Sequence, residues 1–250
     1  MTLTDAGPQP TYPPSPEPLP ERVSLGTVLV TGGASGLGAA TVAAITAAGG
    51  TPLVLDLAAP VDGVAHGQVD LSDTAAAEQA VHDLVAANGG RLDGVFTAAG
   101  VDSCGPLDTV STTAWERVIK VNLLGTAAVV RAALPYLKAS SGRVVTCAST
   151  LGIRAVSDAT AYCASKFGVV GFTRALAAET AGQVGVTLLI PGGMYTAFFD
   201  DRTEQYKPPP DAKLNHPKDV AAAVVFALSQ PPGCEVRELV VAASTEGSWP

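Results

Sequence analysis

The sequence predicts an α/β protein with one doubly wound parallel sheet and helices on both faces. Three observations predict it. Short apolar runs alternate with segments of helical spacing from Thr27 onward, the pattern of strands buried on both faces and joined by crossover helices. A glycine cluster stands between the first apolar run and the first helical segment. Asp56 closes the second apolar run about twenty residues further on, where such folds place a ribose-binding carboxylate.

The elements follow in order. Thr27–Val30 is a buried strand ending in the glycines, and Gly36–Ala48 is a helix with Leu37, Thr41, Ile45 and Ala48 on one face, stopped by Gly49-Gly50. Pro52–Asp56 is the second strand and Gly67–Asp70 the third. Ser72–Asn88 is a helix closed by Gly89-Gly90, and Asp93–Thr97 the fourth strand. Ser111–Lys138 reads as one long helix, with Thr113-x-x-Glu116 as its capping box. Arg143–Cys147 is strand five, Thr160–Ala181 a helix and Val184–Ile190 strand six. His216–Leu228 and Arg237–Val241 supply the last helix and strand. Residues 27–250 therefore form one domain. Residues 1–26 are a separate flexible tail, with seven prolines between positions 8 and 20, each of which removes a backbone donor and fixes φ.

Composition narrows the function classes. Of 250 residues 47% are hydrophobic and 15% charged, enough apolar surface for a sizeable core. The net charge of −8 disfavours a nucleic-acid or anionic-membrane partner, since phosphate would be repelled. The first basic residue is Arg22, and no run reaches the roughly 18 apolar residues of a membrane span. Cys104, Cys147, Cys163 and Cys234 are scattered, and three histidines form no zinc pattern. The expectation is a cytoplasmic protein with reduced thiols and no metal.

Three constellations carry chemistry. In Thr31-Gly32-Gly33-Ala34-Ser35-Gly36-Leu37-Gly38 the glycines let backbone approach a pyrophosphate at the positive end of a helix. The Asp56 carboxylate suits ribose hydroxyls and repels a 2′-phosphate. No Lys or Arg occurs from Val23 to Gly90 to offset that repulsion, so the cofactor expected is NAD. Tyr162 and Lys166, at i and i+4, share one helix face, and Ser149 lies thirteen residues earlier, just past strand five.

In order and register these motifs resemble the short-chain dehydrogenase/reductase family, over Thr27 to about Ala243. The glycine loop, with Gly32, Ser35, Gly36, Leu37 and Gly38, matches the family's T-G-x₃-G-x-G. Asp70-Leu71 resembles its adenine-contacting pair, and Pro191-Gly192 with Thr196 its nicotinamide-gripping segment. Asn122 matches its catalytic Asn, and Ser149, Tyr162 and Lys166 its Ser–Tyr–Lys set. Thr97-Ala98-Ala99-Gly100 stands where the family has N-N-A-G; Ala98 replaces an Asn, while Gly100 keeps the close backbone approach.

The resemblance implies a Rossmann-like fold and hydride transfer between NAD(H) and an alcohol or ketone. Tyr162 would be the acid/base and Lys166 would hold a ribose hydroxyl and favour phenolate. Ser149 would bind the substrate oxygen, and Asn122 would hold a proton-relaying water. It also implies a homotetramer packed through the two long helices. Four aromatics in the segment 193–216, namely Tyr195, Phe198, Phe199 and Tyr206, suggest a lid over a fairly apolar secondary alcohol or ketone. The alternatives are an NADPH-dependent carbonyl or 3-oxoacyl-thioester reductase and a catalytically silent NAD-sensing relative.

Overall fold

The computed structural model describes residues 24–60 and 63–247. Its strands are β1 (Thr27–Thr31), β2 (Thr51–Asp56), β3 (Ala65–Gln68), β4 (Gly94–Thr97), β5 (Arg143–Cys147), β6 (Gly185–Pro191) and β7 (Glu238–Val241). All neighbours pair in parallel in the order β3-β2-β1-β4-β5-β6-β7. The helices are α1 (Gly36–Ala47), α2 (Thr74–Ala87), α3 (Thr112–Ile119), α4 (Thr126–Ser140), α5 (Thr160–Glu179) and α6 (Pro217–Leu228).

The two-residue period of the strands sorts the core into two layers. Val28, Val30, Val54, Phe96 and Val145 face α1 and α6, meeting Ile45, Val220 and Val224. Their neighbours Leu29, Leu53, Leu55, Val95 and Val144 face α2 and α4, meeting Val81, Val129 and Leu137. Each such side chain, once buried, contributes about 1.5–3 kcal/mol. Leu188 and Ile190 pack with Val169 and Val170 of α5. The sheet direction reverses its winding between β1 and β4, and the loops there open a crevice at the strands' carboxyl ends.

Several boundaries differ from the sequence reading. Leu25 and Gly26, expected in the tail, belong to the packed body: Leu25 is buried against the α1 and α6 layer, and the Gly26 carbonyl accepts the Thr51 N–H at 2.8 Å. Ser24 is exposed, and residues 1–23 of the expected tail lie outside the described residues. The third strand is Ala65–Gln68, two residues earlier than the apolar pattern suggested. It is an edge strand with alternating burial, so its own sequence is only half apolar. The helix expected from Thr113-x-x-Glu116 is capped instead by Ser111, whose Oγ accepts the Ala114 N–H at 3.2 Å. Thr113 is already helical, and Glu116 pairs with Lys120.

The long helix is also interrupted. Between α3 and α4 the segment Lys120–Gly125 forms a wider, π-type turn centred on Asn122. The whole run Thr112–Ser140 is long and apolar enough, by length and composition, to cross a membrane. More than half of its most apolar stretch is buried inside the protein, and α4 packs on the sheet and α2.

Candidate active site

A cavity of about 950 Å³ opens at the carboxyl ends of β1, β2, β4, β5 and β6. Every residue expected at the cofactor lines it: Gly32, Ser35, Gly36, Leu37, Gly38, Asp56, Asp70, Leu71, Ala98, Gly100, Tyr162, Lys166, Pro191, Gly192 and Thr196. Ser149 lines it as well; Asn122 does not.

The glycine loop is shaped by sterics. A Cβ on Gly38 would lie 2.0 Å from the Gly32 carbonyl oxygen. One on Gly32, whose φ is +69°, would lie 2.8 Å from the Ala99 Cα. The loop therefore packs backbone on backbone, against the turn after β4. It also leaves α1 with an open N-terminus: Ser35 makes no side-chain cap and the first turn holds no acidic residue. The first turn of α1 thus lines the cavity with no side-chain cap from Ser35 on its N–H groups, which suits a pyrophosphate. The residues present fit a dinucleotide.

Asp56 ends β2 and is tied back to that loop. Its Oδ2 accepts the Ala34 N–H at 2.9 Å and its Oδ1 the Ala58 N–H at 3.1 Å. Asp70 sits just past β3, accepting the Ser72 N–H at 2.9 Å and pairing with Arg117 at 3.1 Å. The Ser72 hydrogen bond, with Arg117 adding to it, holds the Asp70 carboxyl below its usual range. Arg117 lines the cavity. The sequence offered no cation to this half of the site, but the fold brings one in from α3, already paired.

At the centre of the cavity β5 and α5 meet. Ser149 is extended at the end of β5; its Oγ accepts the Leu151 N–H at 3.1 Å and its hydroxyl hydrogen-bonds the Tyr162 phenol. The Lys166 Nζ is buried, donates to the Cys147 carbonyl at 2.8 Å, and lies 5.6 Å from the centre of the Tyr162 ring. Burial raises the Tyr162 phenol, with the Ser149 hydrogen bond pulling the other way. Burial lowers Lys166. The ammonium expected to favour phenolate is thus itself desolvated beside the phenol, and the Ser149 hydroxyl pulls Tyr162 in the same direction.

Asn122 stands behind the cavity wall. Its Nδ2 donates to the Val101 carbonyl at 2.9 Å and the Ser165 Oγ at 3.0 Å, while its Oδ1 accepts the Val101 N–H at 2.8 Å. Both amide hydrogens are spent, so the side chain has none to offer the expected water. It ties the loop after β4 to α5 beside Lys166.

The lid, residues 193–216, is pinched at its base where Asn215 exchanges hydrogen bonds with Gly193 and Tyr195. Its aromatics divide. Phe198 and Phe199 line the cavity, with Phe198 5.7 Å from the Tyr162 ring. Tyr195 stacks on His216, and Tyr206 donates to Asp158 at 3.0 Å. Sequence reasoning missed Arg202, which lines the cavity, lies over both phenyl rings and pairs with buried Asp102 after β4. No local pattern marks that pair, because its members are 100 positions apart. Among the described residues no group of three or more His, Cys, Asp or Glu is placed to hold a metal ion.

Comparisons with known proteins agree with this geometry. The family model described as short chain dehydrogenase matches residues 26–207. D-threitol dehydrogenase of Mycolicibacterium smegmatis is 35% identical over 221 residues, covering 80% of this chain and 85% of that protein. L-fucose dehydrogenase of Mus musculus is 30% identical over 245 residues, covering 90% of each. The crystal structure of levodione reductase superposes with a TM-score of 0.77 at 27% identity, covering 88% of this chain and 97% of that one.

Proposed function

Because the chain belongs to the short-chain dehydrogenase/reductase family, and is on that ground an oxidoreductase of alcohols and ketones, we propose that it uses NAD(H) and a fairly apolar secondary alcohol or its ketone. One observation carries the reading: Ser149, Tyr162 and Lys166 share a single cavity with the glycine loop and Asp56. The bound nicotinamide would supply or accept the hydride.

This chain's residues handle the proton and the geometry. The phenol of Tyr162, raised by burial, is protonated in the free protein and is ready to donate to a ketone oxygen. Ser149 hydrogen-bonds the same oxygen and stabilises the charge that develops on it. Lys166, fixed by the Cys147 carbonyl, presents its ammonium to a ribose hydroxyl. Asn122 is a positioning residue that holds the Lys166 helix against the β4 turn.

Asp56 supports NAD over NADP. A unit charge on a 2′-phosphate at 4 Å from it would meet about 4 kcal/mol of repulsion at an effective dielectric near 20. Arg117 cannot offset this freely, since Asp70 already engages it. We extend the proposal to a homotetramer, because Leu124 and Phe167 expose large apolar side chains on the helical run around Asn122 and on α5. All four cysteines are free thiols, which supports a reducing, cytoplasmic setting.

The test is a titration with NADH and NADPH, followed by an alcohol panel with wild type and Tyr162→Phe. The variant is expected to keep its melting temperature and lose a factor of about 10² to 10⁴ in kcat/KM. A full-speed Tyr162→Phe enzyme overturns the acid/base assignment. Binding of nicotinamide with no turnover of any alcohol favours the silent relative, and tighter NADPH binding favours the carbonyl or acyl-thioester reductase.

A further inference from the structure

Gly192 and Gly193 follow the end of β6, open the lid, and line the cavity. Neither has a positive φ, so close approach rather than backbone angle accounts for the pair. A Cβ on Gly192 would lie 2.7 Å from the Glu246 Oε2, and one on Gly193 2.8 Å from the Leu214 Cδ2. The lid's return and the turn at residues 243–246 therefore close directly on these two glycines.

The backbone groups of the pair are claimed from both sides. The Gly192 N–H donates to the Val241 carbonyl, at the end of β7, at 2.9 Å. The Gly193 carbonyl accepts the Asn215 N–H at 3.0 Å. The Gly193 N–H is met by a side chain instead: it donates at 3.0 Å to the Oε2 of Glu246, 53 positions away. A backbone donor withdrawn from water needs an acceptor. Glycine has more conformational freedom to lose than any other residue, so one such bond fixes this segment more than it would another.

Glu246 is itself held. Its N–H donates to the Ala243 carbonyl at 2.8 Å, closing the turn that carries it. The carbonyl of Gly247 accepts the Arg154 Nη1 at 2.6 Å. The Arg154 N–H in turn donates to the Thr150 carbonyl at 3.0 Å, in the short helical turn that Ser149 caps. Thr245, Glu246 and Gly247 all line the cavity. The C-terminal turn is thus a strap from the Ser149 loop to the base of the lid. Asp211 and Lys213 line the same cavity, so its wall carries both signs. What singles out Glu246 is its bond to the backbone, not its charge.

Resting on the oxidoreductase reading and deepening it, we propose that Glu246 is a positioning residue for hydride transfer. Through the Gly193 N–H it fixes the backbone of residues 191–193, against which the nicotinamide end of the cofactor would lie, relative to the loop that carries Ser149. The carboxylate takes no part in moving hydride or proton.

The experiment titrates wild type, Glu246→Gln, Glu246→Ala and Arg154→Met with NADH and with ADP-ribose, which has no nicotinamide, beside thermal melts and steady-state kinetics on an alcohol that wild type oxidises. Glu246→Ala should bind NADH about 5- to 20-fold more weakly, the worth of one hydrogen bond to a charged group, with ADP-ribose affinity unchanged. Its kcat at saturating cofactor should fall about tenfold or more, with a smaller change in the alcohol KM, because transfer depends steeply on alignment. Glu246→Gln keeps an oxygen for the Gly193 N–H and should return both quantities to within about fivefold of wild type. Arg154→Met loosens the other end of the strap without touching the glycines. It should show the same pattern at about two- to fivefold, and it carries the test if the Ala variant fails to fold. Equal losses of NADH and ADP-ribose, a Gln variant as impaired as the Ala variant, or unchanged NADH affinity and kcat in both Glu246→Ala and Arg154→Met overturn the proposal and leave the oxidoreductase reading in place. Binding of neither NADH nor NADPH by wild type overturns that reading, and the proposal with it.

Discussion

The two ends of the cavity are held by different forces. At the glycine-loop end, backbone packs on backbone: Gly38 leaves no room for a Cβ beside the Gly32 carbonyl, and Asp56 is tied to the Ala34 N–H. The loop also packs on the turn after β4, where a Cβ on Gly32 would lie 2.8 Å from the Ala99 Cα. At the lid end, side chains meet across the fold. Arg202 reaches Asp102, and Tyr206 reaches Asp158. The first end is defined by sterics that few residues satisfy, so it accepts one kind of ligand. The second depends on an ion pair, two phenyl rings and one phenol, any of which could change without disturbing the sheet. Cofactor choice and substrate choice are therefore separable properties of this molecule.

Ser149 stands at the join of the two ends and gives the largest test. Ser149→Ala should lower kcat by about 10² to 10³, the usual effect of removing one donor to a developing oxyanion. It should also move the alkaline limb of the kcat/KM profile for alcohol oxidation to higher pH. The sign follows from the hydrogen bond: Ser149 favours the phenolate of Tyr162, so its loss raises that phenol further. An unmoved limb would place the two hydroxyls out of contact during turnover.

Next in size is Gly38→Ala, aimed at the backbone-built end. The added methyl, 2.0 Å from a carbonyl oxygen, cannot be absorbed by a rotamer change. Overpacking of this kind costs about 1–3 kcal/mol, so NADH affinity should weaken by roughly 5- to 150-fold, read by fluorescence titration beside a thermal melt. Substrate ratios at saturating cofactor should hold. Wild-type affinity in this variant would break the claim that sterics define the loop.

A smaller change sharpens the same end. Wild type should bind NADH at least about tenfold tighter than NADPH, and Asp56→Ala should narrow that gap. Asp56→Asn, which keeps an oxygen for the Ala34 N–H, should narrow it with less loss of NADH affinity. Equal wild-type affinities would remove Asp56 as the selector.

The smallest effect is expected at the lid end. Tyr206→Phe removes the hydrogen bond to Asp158 and keeps the ring. KM for the substrate should rise by about two- to tenfold with NADH affinity unchanged. A matching loss of NADH affinity would show that the two ends are coupled after all.

The same contrast governs what could be read in advance. Strand β5 has the expected bounds, since Val144-Val145-Thr146-Cys147, with Arg143 before it and Gly142 as a break, is largely β-branched and too short for a helix. Strand β3 was displaced by two residues, because an edge strand needs only half its side chains apolar and so leaves a faint pattern. The helix over Ser111–Lys138 was expected to be unbroken, yet it widens at Asn122, whose side chain is claimed by Val101 and Ser165. Helical periodicity carries no sign of partners that lie 21 and 43 residues away.

The sequence by itself determined the sheet, its winding and which residues would gather at one cavity, because these depend on local rules: strand period, and glycine where a Cβ cannot fit. Only the tertiary structure decided the state of the catalytic groups and the character of the substrate wall. Burial raised Tyr162 and lowered Lys166, a result of what surrounds them rather than of their spacing. Arg117 entered a region whose own sequence holds no cation, and Arg202, beyond β6, found Asp102, which follows β4. Charge pairing and desolvation act through space, and proximity in space between distant residues exists only once the chain has folded.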